Sequence, residues 1–269
     1  MNNYKLGFIG AGKLAGSVIR GLMRAKFCAA GEIIGSEPNE QTRSALQKET
    51  GVSVTAENAE VAEKADVIFI GVKPPMVVPV LGELKDELQN KLVISLAGGI
   101  RISSMEKTGN ARFMRTLTNT PSAICRAATG ICRGSRSMNE DVDLAKRIFG
   151  TIGVVVEVTE EQIDVVTSLS GSGPAFVYTV IEALADGGTR MGLASEVAME
   201  LAIQTVRGAA EIMRKSKMSP EELRKMVVTP GGTTAAGLAV MEKLGTRESL
   251  IAGIEAATKR GQEMAKENQ

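Results

Sequence analysis

The stretch Lys5-Leu6-Gly7-Phe8-Ile9-Gly10-Ala11-Gly12-Lys13-Leu14-Ala15 decides the fold. A strand-like run ends in a G-x-G-x-x-A turn, and helical periodicity follows from Leu14 to Ala25. In such a turn Gly10 permits the tight bend. Gly12 removes the side chain that would hold a pyrophosphate away from the backbone, and Ala15 keeps helix and strand close. The helix N-terminus supplies free N–H groups and the positive end of its dipole. Gly10, Ala11, Gly12, Lys13 and Leu14 are therefore the candidate dinucleotide-binding residues.

Working outward, short apolar runs alternate with helical stretches. Glu32 to Ser36, Val52 to Val54, Asp66 to Val72, Leu92 to Leu96, Arg112 to Leu117 and Gly153 to Val158 read as strands. Thr42 to Thr50, Ala59 to Lys64 and Val77 to Leu88 read as helices. The nearly all-apolar run from Asp66 is expected of a central parallel strand covered on both faces. The alternation predicts an α/β fold, an N-terminal Rossmann-like doubly wound domain over residues 1–160. After Glu160-Glu161 the strands stop. Pro174 to Met191, Ser195 to Lys215 (with a polar cap at its start), a helix capped by Ser219-Pro220-Glu221-Glu222, Ala235 to Lys243 and Glu248 to Lys266 read as helices. Residues 161–269 are thus expected to form an all-α domain.

Composition narrows the chemistry. The 269 residues contain no histidine and no tryptophan, and 32 basic residues nearly balance 31 acidic ones. No Ser-His-Asp or Cys-His system and no imidazole base is possible. Without histidine and without a CxxC motif, no metal site is expected. Six Phe and two Tyr leave little for base stacking, and the neutral balance lacks the basic face of a nucleic-acid binder. No apolar run reaches membrane-span length, and no secretory signal pattern opens the chain. Cys28, Cys125 and Cys132 read as reduced, mostly buried thiols, which points to a cytoplasmic protein.

Two groups of residues carry the function. The first lies where parallel strands end. Gly35-Ser36-Glu37-Pro38 closes the second strand, where an acidic residue binds ribose hydroxyls and a small polar residue suits a 2′-phosphate. Here Ser36 suits NADP, Glu37 suits NAD, and Arg43 stands within reach of a phosphate. Val72, Lys73 and Pro74 end the central strand, and Ala97-Gly98 and Asn119-Thr120-Pro121 line the same rim. The second group is Thr229-Pro230-Gly231-Gly232-Thr233-Thr234, between two helices. Its backbone N–H groups and hydroxyls suit a small carboxylate; read alone, it is first of all a helix–helix turn with a threonine cap. Ser168 to Pro174 reads as a capped helix start.

Taken together, Phe8 to Gly12, Val72 to Pro74, Asn119 to Pro121, Leu169 to Ala175, Glu182 to Gly188 and Thr229 to Thr234 resemble the Δ1-pyrroline-5-carboxylate reductases, over essentially the whole chain. The resemblance implies hydride transfer from NADPH or NADH to the imine carbon of pyrroline-5-carboxylate, giving L-proline. It implies that Thr229, Gly231, Gly232, Thr233 and Thr234 hold the substrate carboxylate, with Thr234 near the ring nitrogen as the catalytic hydroxyl. Ser36, Asn58, Lys73 and Ala97 are implied as cofactor contacts. NADPH is the expected preference, with NADH the alternative that Glu37 favours. A homodimer through the C-terminal helices is implied, with a decamer as the larger assembly. Many members carry tyrosine where this chain has Phe176, so no hydroxyl role falls there. A β-hydroxyacid or 6-phosphogluconate-type dehydrogenase would share the two-domain plan. It would also place a lysine, and an asparagine one turn later, on the helix that here reads Pro174-Ala175-Phe176-Val177-Tyr178-Thr179. A dinucleotide-binding regulator without chemistry is the non-enzymatic alternative.

Overall fold

Leu6 and Phe8 point to one face of the first strand and Ile9 to the other, and this alternation builds two cores on one sheet. The protein, described by a computed structural model over residues 4–267, begins with β1 (Tyr4–Ile9), α1 (Lys13–Arg24), β2 (Ile33–Ser36), α2 (Glu40–Thr50), β3 (Ser53–Thr55), α3 (Asn58–Lys64) and β4 (Ala65–Ile70). Next come α4 (Pro74–Glu83), β5 (Leu92–Ser95), α5 (Ile102–Glu106), β6 (Arg112–Leu117), β7 (Ala127–Arg133), α6 (Asn139–Thr151) and β8 (Gly153–Glu157). The eight strands lie in the order β3-β2-β1-β4-β5-β6-β7-β8. All neighbours are parallel except β6 and β7. The strand order reverses direction between β1 and β4, so the carboxyl ends of these strands form the crevice where doubly wound sheets take ligands.

On one face Phe8 stacks on Phe69 with ring centroids 4.6 Å apart, and Phe69 meets Phe149 of α6 edge-on at 5.9 Å. On the other face Ile68, Ile70, Val93 and Phe113 pack against Val61 of α3 and Val77 of α4. The expected Val77–Leu88 helix is shifted. It starts at Pro74, which suits the first helical position, and ends at Glu83. Leu84 and Leu88 remain buried in the turns that follow, so the apolar spacing is satisfied without helix.

The remaining helices are α7 (Glu160–Val166), a π-turn at Thr167–Gly171, α8 (Gly173–Arg190), α9 (Ser195–Ser216), α10 (Pro220–Val227), α11 (Thr233–Lys243) and α12 (Thr246–Glu267). Ser219 caps α10 as expected: its Oγ accepts the Glu222 N–H at 3.2 Å, and the Glu222 carboxylate returns to the Ser219 N–H at 2.7 Å. At α9 the polar cap is not found. Ala194 is the N-cap, and Ser195 lies inside the helix.

Two compact units result. One runs to Ser172 and takes in the chain from Ala256 onward; the other spans Gly173–Glu255. The change from strand to helix near residue 160 falls inside the first unit, because α7 still packs on the sheet. Ile163 enters the core beside Phe113, and Asp164 meets Arg115. In the second unit Ala185 of α8 packs against Ala198 and Ala202 of α9. These three are its only fully buried apolar residues among those described. Val177, Tyr178, Leu184, Leu201, Ile212 and Leu244 stay exposed.

Arg115, in the middle of β6, is 0% exposed. Its Nη1 lies 3.2 Å from Glu160 Oε1 and its Nη2 3.4 Å from Asp164 Oδ1. Arg101 Nη2 meets Asp164 Oδ2 at 3.2 Å, so two cations and two anions balance on α7. Glu160 Oε1 also accepts the Ile102 N–H at 2.6 Å. Removing one partner of a buried pair leaves a charge without compensation. Asp164→Ala is therefore expected to destabilise the protein by about 3 kcal/mol, and the double variant Arg115→Met/Asp164→Leu to recover most of that. Urea-unfolding midpoints check both.

Candidate functional site

The fingerprint turn is held by backbone. Gly10 adopts φ +84°, and the N–H groups of Gly10 and Ala11 both donate to Ser36 O, at 3.0 and 2.7 Å. A Cβ on Gly10 would stand 2.7 Å from Val72 N. One on Gly71 would stand 2.5 Å from Gly10 O. The Gly71 N–H donates to Ile9 O at 2.7 Å. The loop after β1 and the loop after β4 are thus pressed together at the switch point. Gly71 is essential to this contact although the fingerprint does not single it out; its signal is a glycine closing an all-apolar strand.

Gly12 is the N-cap of α1 and carries no side-chain cap. The first N–H groups of a helix have no acceptor within it, so Lys13, Leu14 and Ala15 offer donors to a ligand. A Cβ on Gly12 would meet nothing closer than Glu37 Oε2, at 3.5 Å. The glycine therefore leaves open the space a pyrophosphate needs, and the site fits a dinucleotide. Beside it a cleft of about 330 Å³ is lined by Ala11, Gly12, Lys13, Arg20, Gln41 and Thr42, among others.

The other expected cofactor residues gather at the same strand ends. Ser36 closes β2, fully buried, and donates its hydroxyl to Asn58 Oδ1 at 2.7 Å. This bond ties β2 to the start of α3. Val72 is half-buried, Lys73 is the exposed N-cap of α4, and Pro74 occupies its first turn. Ala97, after β5, is buried and donates its N–H to Ser95 Oγ at 3.2 Å. Gly98 faces the Thr167 methyl, and Asn119 Nδ2 donates to Ser170 O at 3.0 Å. The π-turn Thr167–Gly171 therefore closes over this rim.

The helix start expected within Ser168 to Pro174 is found at Gly173, with Pro174 in the first turn of α8, but the residues before it form a π-turn. The Ser172 N–H donates to Thr167 O at 2.9 Å, a π-type bond that carries the chain from α7 towards α8. The hydroxyls of Thr167, Ser168 and Ser170 bond back to Ile163 O, Asp164 O and Val166 O. Their protons are thus given to their own helix.

In the second unit, Thr229 O accepts the Gly232 N–H at 3.0 Å, and Gly231 has φ +72°. With Pro230 before Gly231 this is the pattern of a type II turn. Gly232 is the N-cap of α11 and has no side-chain cap, so neither threonine caps the helix and its leading N–H groups stay available. Thr229 and Thr233 are exposed and Thr234 is half-buried.

Comparison with known proteins finds two family models along the chain. Residues 160–264 match a family model described as pyrroline-5-carboxylate reductase dimerisation, and residues 5–99 one described as NADP oxidoreductase, coenzyme F420-dependent. Pyrroline-5-carboxylate reductase of Pisum sativum is 39% identical over 98% of this chain and 97% of its own length. The chain belongs to the pyrroline-5-carboxylate reductase family. The reductase of Methanosarcina acetivorans is 38% identical over 99% of this chain and all of its own. A crystal structure of Plasmodium falciparum pyrroline carboxylate reductase with NADP bound superposes with a TM-score of 0.90, at 31% identity, over 98% of this chain and 99% of its own.

The three cysteines are free, with Cys132 buried and Cys28 and Cys125 half-buried, fewer buried than expected. Burial pushes the Cys132 thiol up to about 11. Alkylation near about pH 8 is expected to spare Cys132 in the native protein, since only the thiolate reacts; peptide mapping checks it. The two fingerprint glycines are separable by stability. Gly10→Ala must strain a positive φ and a backbone contact, and is expected to cost about 2–3 kcal/mol. Gly12→Ala meets only ordinary contact, so its melting temperature is expected to stay at the parent value.

Proposed function

We propose that this chain reduces Δ1-pyrroline-5-carboxylate to L-proline with NAD(P)H, as an oxidoreductase acting on a C=N bond in proline biosynthesis. The observation that carries the reading is the glycine turn at Gly231-Gly232 opening α11, in a chain aligned end to end with reductases of that name. A helix start with no side-chain cap, flanked by threonine hydroxyls, suits the single carboxylate of the substrate.

The cofactor, when bound, supplies a hydride. Gly10 to Leu14 hold its pyrophosphate. Ser36 and Asn58 shape the adenosine end, and Val72, Lys73, Pro74, Ala97 and Gly98 line the path to the nicotinamide. Thr229, Gly231, Gly232, Thr233 and Thr234 orient the substrate, and the Thr234 hydroxyl bonds the ring nitrogen. The electron pair of the C=N π bond becomes the amine lone pair; a substrate that arrives as the iminium leaves as the neutral secondary amine, which takes one further proton from water as pH dictates. An iminium carbon is electrophilic enough that positioning does most of the work. This fits a chain with no histidine to act as base.

The family assembles as an oligomer. A homodimer through α8 to α12 is the form that covers the exposed Val177, Leu184, Leu201 and Ile212, and a decamer is the larger assembly proposed. No helix among the described residues is long and apolar enough to cross a membrane, and three free cysteines suit a reducing cytoplasm.

Thr234→Ala is expected to lower kcat about ten- to hundredfold by loss of one hydrogen bond at a charged centre, with the Kd for NADPH unchanged. Steady-state oxidation of NADPH with pyrroline-5-carboxylate, paired with calorimetric cofactor binding, checks it. An unchanged kcat removes Thr234 from the mechanism.

A further inference from the structure

Ser36 was the residue expected to receive a 2′-phosphate, but its hydroxyl is buried and its proton already lies on Asn58 Oδ1, 2.7 Å away. The next group outward is Glu37. Its N–H donates to Thr55 O at 3.0 Å, which fixes the backbone of the residue on the edge of β3. Its carboxylate is oriented by the Asn39 N–H, which donates to Oε1 at 3.1 Å. The other oxygen, Oε2, lies 3.5 Å from where a Gly12 Cβ would be, so it faces the phosphate-binding loop. Oε2 has no hydrogen-bond or ion-pair partner among the described residues. Arg43, the cation of the same turn, does not neutralise it. Its Nη1 donates instead to the carbonyls of Glu37 and Pro38, both at 2.8 Å.

The adenosine ribose of a dinucleotide lies at the carboxyl end of β2, beside the glycine loop. There an unpaired carboxylate accepts hydrogen bonds from the 2′- and 3′-hydroxyls, whereas a 2′-phosphate meets like charge. We infer that Glu37 is the residue that sets the balance between NADH and NADPH in this chain. It admits the ribose diol of NADH and holds down affinity for the 2′-phosphate, so that NADH serves as a working reductant alongside NADPH. This rests on the reductase reading for its consequence in catalysis, but the selection itself is a property of nucleotide binding.

Calorimetric titration of the full-length oligomer with AMP and with adenosine 2′,5′-bisphosphate reads the selection without turnover. Glu37→Gln keeps the shape and removes the charge; Glu37→Asp keeps the charge. Like charges a few ångströms apart in a half-exposed site differ by roughly tenfold in affinity. The ratio of Kd for the bisphosphate to Kd for AMP is expected to fall about tenfold in Glu37→Gln and to hold in Glu37→Asp. In the reductase assay kcat/KM is expected to rise for NADPH and fall for NADH in Glu37→Gln. A binding ratio that stays within about twofold of the parent overturns the inference, as does a ratio governed by Arg43→Met alone. If the parent reduces nothing with either cofactor, the reductase reading fails, and the binding ratio still decides the role of Glu37.

Discussion

At the switch point of the sheet the backbones of Gly10 and Gly71 lie too close for any side chain between them. This contact lets β1 and β4 end at the same level and turns the chain through φ +84° into α1. It also brings Ala11 within hydrogen-bonding reach of Ser36 O. Three strand ends are thereby locked together by main chain alone. The free N–H groups of α1, the Glu37 carboxylate and the Val72-Lys73-Pro74 corner all take their positions from it. The site is rigid at its base because its base is backbone, and backbone geometry is what a glycine at a positive φ secures.

The parts of this arrangement that follow simple rules could be read before any coordinates. Gly10, Gly12 and the apolar run from Asp66 announce a dinucleotide-type sheet because turn chemistry and a doubly covered strand leave unmistakable residues. β7 left no such trace. Ala127-Ala128-Thr129-Gly130 has neither alternation nor large apolar side chains, and it needs its glycine because a Cβ at Gly130 would stand 2.7 Å from the Val166 side chain. The π-turn was equally hidden. Serine, glycine and proline in succession read as a break, while the chain instead continues through one long-range helical bond at Ser172. The buried pairing of Arg115 with α7 depends on two segments some 45 residues apart and has no local signature. The segment Thr229 to Thr234 stands out through its resemblance, and its turn leaves the start of α11 without a side-chain cap.

The missing histidine takes on a different meaning in this frame. The hydroxyls of Thr167, Ser168 and Ser170 donate to their own helix, and Thr229, Thr233 and Thr234 flank a turn whose helix start has no side-chain cap. Both suit a reaction in which the substrate brings its own electrophilic centre and the protein supplies position. Glu37 has leverage over cofactor choice because one oxygen of its carboxylate faces the glycine loop, while Arg43 of the same turn is bonded to backbone carbonyls.

The central claim is that hydride passes from a reduced nicotinamide to the imine carbon of pyrroline-5-carboxylate. Turnover with cofactor deuterated at the transferring position, followed by mass spectrometry and proton NMR of the product, tests this directly. Proline carrying one deuterium at C5 is expected. Proline without deuterium at that carbon, or no proline with either NADH or NADPH, would contradict it.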